Sequence, residues 1–169
     1  MPTDDGFRFD DTGRNAILKD NWRIALKGIL KWPLVVAAIV VVLRVIVERA
    51  GAPITVSNML SGAVLITVLG PIYFAREIGM AGKPRPYWML IKLVLIYAIW
   101  TRAMILPTYW LARVFQWHEP RFAGVDAPNP LVGFIVLPLV TAAFWIVASL
   151  VIGGGIGAAV LTVVRSRSR

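Results

Sequence analysis

Long runs of apolar residues alternate with short charged segments along most of this chain. Four runs have the composition of membrane-spanning helices, which need about 20 apolar residues each. They cover residues 33–48, 54–75, 87–113 and 131–164. We therefore predict an all-α integral membrane protein whose four-helix transmembrane domain covers residues 33–164. Within the second run, Gly70-Pro71 predicts a kink, because proline cannot donate a helical hydrogen bond.

Residues 14–32 show helical periodicity instead of a continuous apolar run. Lys19, Arg23, Lys27 and Lys31 recur every four residues, and apolar side chains fill the opposite side. Helices of this kind lie in the membrane interface with their basic side chains at the lipid headgroups. We predict a basic amphipathic interfacial helix that either stops or bends at Pro33. A docking helix for a partner subunit is the alternative.

The two ends of the chain are polar. Residues 1–13 contain several aspartates and few apolar residues, which predicts a solvated N-terminal tail. Residues 165–169 alternate arginine with serine and are predicted to form a basic cytoplasmic tail.

The third apolar run carries a charge near its middle. Lys92 and Arg113 bracket the run and would lie roughly 30 Å apart on a helix, which is the thickness of a bilayer hydrocarbon core. Arg102 then falls near the midplane, where the chain offers it only backbone carbonyls, Thr101 and Tyr109. We predict that Arg102 and Tyr109 contact an acidic side chain of another subunit, or an anionic lipid or ligand.

Pro107 leaves two geometries open for this run. In one, the membrane helix continues to Arg113. In the other it ends at Pro107, residues 108–118 form a short interfacial helix, and Arg102 reaches outward to the headgroups. Arg44, near the end of the first run, is likewise expected to reach outward.

Small residues recur every four positions in the last run. Ser149, Gly153 and Gly157 form one row, and Gly154 and Ala158 form a parallel row. Such a glycine zipper lets another helix approach closely, so we predict a helix-packing face here. The run is longer than one upright span needs, which predicts a tilted, kinked helix.

Composition supports the membrane assignment. Hydrophobic residues make up 58% of the 169-residue chain and charged residues 16%, against about 25% charged in soluble domains. The net charge of +9 would suggest nucleic acid in a soluble protein, but the basic residues here flank apolar runs. We therefore expect anionic lipids as their partners, and no nucleic acid.

The distribution of lysine and arginine predicts the orientation. Six lie in the N-terminal segment through Lys31, four in residues 76–92 and three in the C-terminal tail, against two beside each of the other connections. By the positive-inside rule, both termini are cytoplasmic. We expect the protein in the cytoplasmic (inner) membrane of a bacterium.

Residues that would carry chemistry are scarce. All nine carboxylates lie outside the middle of the four apolar runs, so no acid–base pair forms inside the membrane. The chain has no cysteine, and His118-Glu119 lacks the second histidine, four residues on, of a zinc protease helix. We predict no catalytic residue, no metal site and no cofactor held by this chain; any contact with lipid, quinone or pigment would involve molecules held by partner subunits.

Three functions fit this pattern. The first is a non-catalytic accessory or structural subunit of a larger membrane protein complex, with an energy-converting complex as one candidate host. Its partners would be other membrane subunits. The second is a small oligomeric transporter or channel in which Arg102 faces an anionic substrate. The third is a lipid- or quinone-binding component of an enzyme.

Overall fold

The chain forms a bundle of long helices. A computed structural model describes residues 11–53, 55–56, 64–82, 85–118 and 126–167, with side chains from residue 28 onward. Every regular element in these ranges is helical. We label them α1 (Asp11–Arg49), α2 (a π-helical turn, Leu65–Leu69, continued by Gly70–Met80) and α3 (Pro86–Val114). The last helix, α4, joins Val132–Val136 (π), Leu137–Ala148 (α), Ser149–Gly153 (π) and Gly154–Arg167 (α).

Three of the described helical segments are long and apolar enough to cross a membrane. They are Gly28–Arg49, Pro86–Val114 and Val132–Arg167. Their outward-facing side chains are apolar, as in Phe144 and Val151, which are 66% and 70% exposed. The prediction of an all-helical chain is confirmed for the described residues, and these apolar helices and surfaces are consistent with a membrane protein. The predicted second span includes residues 57–63, which lie outside the described part of the chain.

Helix α1 passes through Pro33 without interruption. The amphipathic helix was expected either to stop or to bend at Pro33, and the expectation that it stops there is wrong. The helix already begins at Asp11, within the predicted tail. Residues 1–10 and the side chains of Lys19, Arg23 and Lys27 lie outside the described part, whereas Lys31 is described and exposed.

Helix α3 is the centre of the bundle and contacts the three other helices. It too continues through a proline, Pro107, and ends at Val114, so the expected alternative of a helix end at Pro107 is not found. Its core face buries side chains that include Leu93, Val94 and Tyr97. The ring of Tyr97 packs edge-on against Phe74 of α2, with centroids 5.5 Å apart.

Contacts along α3 give the helix directions. Tyr87 bonds to Thr162 near the start of α3, and Trp110 bonds to Phe134 near its end, so α4 runs antiparallel to α3. Helix α1 contacts α3 at Pro33, whose carbonyl accepts a hydrogen bond from the hydroxyl of Tyr97 at 3.4 Å. Arg49, the last residue of α1, lies 4.9 Å from the ring of Trp117, which follows the end of α3, so α1 and α3 run parallel.

The π-helical turns lie beside prolines and glycines. In α2, the N–H of Gly70 donates to Leu65, five residues back, just before Pro71. In α4, Leu137 donates in the same way to Val132, just before Pro138. Wide turns at these points accommodate a proline ring that would otherwise meet the carbonyl four residues earlier. The predicted irregularity at Gly70-Pro71 therefore takes the form of a π turn.

Candidate functional site

The candidate site is a buried arginine between α3 and α4. Arg102 is only 9% exposed, although arginine is almost never buried without a partner. It lies on the inward face of α3, one turn after Ala98 and directly after Thr101, both of which are buried. The Thr101 hydroxyl donates to the carbonyl of Tyr97 at 2.6 Å, so this neighbour is engaged with its own helix.

The guanidinium of Arg102 points across to α4. Its central carbon lies 5.1 Å from the centre of the Trp145 ring. A cation over an aromatic face is stabilised by about 0.5–2 kcal/mol, depending on how far it is desolvated. The ring face does not satisfy the N–H groups in the guanidinium plane, however. Both Nε and Nη2 are buried and have no hydrogen-bond partner among the described residues.

A small cavity lies beside this guanidinium. Its volume is about 10 Å³, roughly the space that one water molecule needs. Besides Arg102, it is lined by Ile105, Leu106 and Tyr109 of α3 and by Pro138, Thr141 and Ala142 of α4. The two residues predicted to make the partner or anion contact, Arg102 and Tyr109, thus line one cavity. The cavity also contains a second hydroxyl, that of Thr141.

The acidic side chains whose positions are described lie elsewhere. Glu48 pairs with Arg44 within α1, with Oε1 and Nε 2.9 Å apart. Glu77 is near the end of α2 that leads into the loop before α3. Asp126 lies beyond the other end of α3, with Oδ1 3.5 Å from Nε2 of the exposed His118. None of these carboxylates lies within ion-pair distance of Arg102.

The predicted packing face of α4 contacts α2 and α3 of the same chain. A Cβ on Gly153 would lie 2.8 Å from the ring of Pro71 and 3.1 Å from the Thr67 carbonyl. A Cβ on Gly157 would lie 3.0 Å from Leu90. Ser149 is fully buried, and its hydroxyl donates to the backbone carbonyl of Trp145 at 2.7 Å.

The second row of small residues is less uniform than the first. Ala158 is half-buried against the core, but a Cβ on Gly154 would have no neighbour within 4 Å. The two rows therefore differ, and only the first is in close contact along its length.

An apolar groove of about 240 Å³ opens between α1 and α2. It is lined by Trp32, Pro33, Val36, Leu65, Leu69, Gly70, Tyr73 and Tyr97. Its lining is almost entirely hydrocarbon and aromatic, so it suits an acyl or isoprenoid chain better than a polar ligand.

Sequence reasoning missed the residues of α4 that surround Arg102. Trp145 and Thr141 are four residues apart and therefore share a helix face. The available signal was the predicted order of spans, because consecutive spans cross a membrane in opposite directions and the middles of two full-length spans then lie at the same depth. The i, i+4 spacing of Arg44 and Glu48 was a second available signal, and their ion pair replaces the outward reach expected of Arg44.

Comparison with protein-family models, with curated proteins and with solved structures finds no match to this chain. Among the described residues, no group of three or more histidine, cysteine, aspartate or glutamate side chains lies close enough to hold a metal ion.

Proposed function

We propose that this protein is a non-catalytic accessory subunit of a larger membrane protein complex. The observation that carries the proposal is the buried guanidinium of Arg102, with two nitrogens that have no partner among the described residues. An arginine at the centre of a membrane helix costs about 2.5–3.5 kcal/mol on insertion scales. A partner subunit that supplies an acceptor would recover this free energy on association.

The proposed topology has four spans, with α2 and the residues preceding it forming the second. Both termini are then on the cytoplasmic side of a bacterial inner membrane, in line with the excess of lysine and arginine at the ends and in residues 76–92. Helix α1 has 39 residues and is therefore about 58 Å long. Since the hydrocarbon core is about 30 Å thick, its N-terminal part extends into the headgroup region, where Lys19, Arg23, Lys27 and Lys31 meet anionic lipids.

Co-isolation tests the accessory role. The tagged protein, expressed from its own gene at native level, is extracted in mild detergent and purified by two different steps. We expect unlike membrane proteins to remain with it at a constant ratio, and an absorption spectrum would reveal any pigment or haem they carry. A chain that purifies alone, or only with further copies of itself, would exclude the proposal.

A second candidate is an oligomeric transporter or channel for an anion. The hydroxyls of Tyr109 and Thr141 beside Arg102 favour it, because hydroxyl donors and a guanidinium together bind oxyanions. The purified protein in liposomes would then conduct an anion such as phosphate, and Arg102→Leu would abolish the flux. If the protein is an accessory subunit, an energy-converting complex is one candidate host. A transporter or channel would need no such host.

The groove beside Trp32 and Tyr97 favours a third candidate, a lipid- or quinone-binding component of an enzyme. In that case, a quinone analogue with a photoreactive isoprenoid tail would label residues of the groove. Addition of unlabelled quinone would compete with the label.

A further inference from the structure

We infer that the cavity beside Arg102 receives a carboxylate from an aspartate or glutamate on a transmembrane helix of another subunit, which docks on the surface between α3 and α4. This inference rests on the proposed accessory function and names the contact that holds the partner. Three observations support it: the geometry of the guanidinium, its depth in the bundle, and the positions of the acidic residues in the sequence.

The two unpartnered nitrogens define the shape of the missing acceptor. Nε and Nη2 lie on one edge of the guanidinium, and their N–H bonds are nearly parallel. A carboxylate accepts both bonds with its two oxygens, which makes the Arg–carboxylate pair both strong and directional. The cavity has room for about one oxygen-sized atom, so it takes one carboxylate oxygen, and contact with both buried nitrogens requires α3 and α4 to separate slightly as the partner docks.

The direction of the side chain argues against a lipid headgroup as the acceptor. Arg102 lies about ten residues from both Lys92 and Arg113, or roughly 15 Å along the helix in either direction. The contacts between α3 and α4 follow one another in antiparallel order, and Trp145 faces Arg102 between the end contacts described above. The arginine therefore extends sideways toward α4 and not along α3 toward either membrane surface.

The sequence has no carboxylate in the middle of any of its four apolar runs. Between residues 49 and 118 the only acidic residue is Glu77, and none follows Asp126. A second copy of the chain would bring the same residues and hence the same deficit. An unlike subunit with an acidic residue in a membrane span supplies the complementary charge.

Photocrosslinking in native membranes tests the inference directly. Benzoylphenylalanine replaces Ile105 or Thr141, which line the cavity, and as a matched control it replaces Val151 on the exposed face of α4. We expect the cavity positions, and not the control position, to crosslink to a membrane-spanning peptide of another protein that contains aspartate or glutamate. Crosslinks to phospholipid alone, or to a second copy of this chain, would overturn the inference.

Charge exchange then tests the ion pair. Arg102→Leu should reduce co-isolation of the crosslinked partner at least about tenfold, and Arg102→Lys should restore it in part, because lysine keeps the charge without the two-pronged geometry. Neutralising the partner's acidic residue should produce the same loss, and Arg102→Glu combined with an arginine in the partner should restore binding. Co-isolation that is unchanged in Arg102→Leu would refute the contact while leaving the accessory function standing.

A second variant distinguishes loss of the partner contact from loss of folding. Thr141→Leu fills the cavity but leaves the guanidinium over Trp145, and Val140→Leu on the neighbouring exposed position is its control. We expect Thr141→Leu to lower co-isolation while its own unfolding temperature in detergent stays within a few degrees of that of Val140→Leu. Equal co-isolation of the two variants would argue that nothing enters the cavity.

Discussion

The indole N–H of Trp110 donates to the backbone carbonyl of Phe134 at 2.8 Å. Phe134 is four residues before Pro138, so the α-helical donor to this carbonyl would be the N–H that proline lacks. The hydrogen bond therefore joins two helices at the point where α4 loses a helical donor. It shows how a proline inside a membrane helix is accommodated by a neighbouring helix.

This relationship predicts that Trp110 and Pro138 are energetically coupled. Trp110→Phe keeps an aromatic ring but removes the donor, and we expect it to lower the free energy of unfolding in detergent by about 0.5–1 kcal/mol. In a Pro138→Ala background residue 138 has its own N–H, so the same substitution should cost less. The control is Trp100→Phe, at an exposed tryptophan of the same helix. Additive effects of Trp110→Phe and Pro138→Ala would contradict the coupling.

The proposed orientation predicts a labelling pattern. The chain has no cysteine, so single cysteines report without background to a membrane-impermeant thiol reagent. Cysteines at Ala50 and Ala127 should react in intact cells, whereas cysteines at Ala81 and Ser166 should react only after the membrane is opened. Labelling of the Ala81 position in intact cells would reverse the orientation.

The Arg44–Glu48 ion pair predicts an asymmetric response to mutation. The side chain of Glu48 is 8% exposed and that of Arg44 19%, so loss of one charge leaves the other poorly solvated. We expect Glu48→Gln to lower the free energy of unfolding by about 1–3 kcal/mol. Replacement of both residues by methionine should recover most of this loss. If the double variant is less stable than Glu48→Gln, the intact ion pair is itself stabilising. The loss in Glu48→Gln would then not come only from a charge left without its partner.

The apolar pattern of the sequence was sufficient to predict an all-helical chain with helices apolar enough to span a membrane, and the approximate bounds of α3 and α4. It was not sufficient to predict what surrounds Arg102, because periodicity identifies a buried face without identifying the helix that covers it. Trp145 looks like any lipid-facing aromatic in the sequence. Similarly, the spacing of Gly153 and Gly157 predicted a close contact but left open whether the contacting helix belonged to this chain or to a partner.

The sequence also did not determine whether α1 continues through Pro33, and the reason differs from that for Arg102. Proline prevents one hydrogen bond and disfavours an α conformation in the preceding residue, but neighbouring helices can compensate for both in an apolar environment. The carbonyl that loses its helical donor is that of Ile29, and the contact that the structure shows at this point is a hydrogen bond from the hydroxyl of Tyr97 on α3 to the Pro33 carbonyl. Whether a helix stops or continues at proline thus depends on tertiary contacts that no local pattern contains.

The last prediction separates close packing from backbone flexibility in α4. Gly153→Ala and Gly155→Ala make the same chemical change two residues apart, but the new Cβ meets Pro71 and the Thr67 carbonyl only at Gly153. At Gly155 it has no neighbour within 4 Å, and alanine is favoured over glycine in a helix by up to about 1 kcal/mol. We expect Gly155→Ala to maintain or raise the free energy of unfolding and Gly153→Ala to lower it by about 1–3 kcal/mol.

Gly157→Ala provides an intermediate case in the same unfolding assay. Its nearest neighbour would be the end of the flexible Leu90 side chain, at 3.0 Å, which can move, although the Pro71 carbonyl oxygen at 3.3 Å cannot move as easily. The loss should therefore fall between those of the other two variants, and Val151→Leu on the exposed face should be mild. Equal losses at all three glycines would mean that their role is conformational freedom of the helix backbone, because only packing against α2 and α3 distinguishes the three positions.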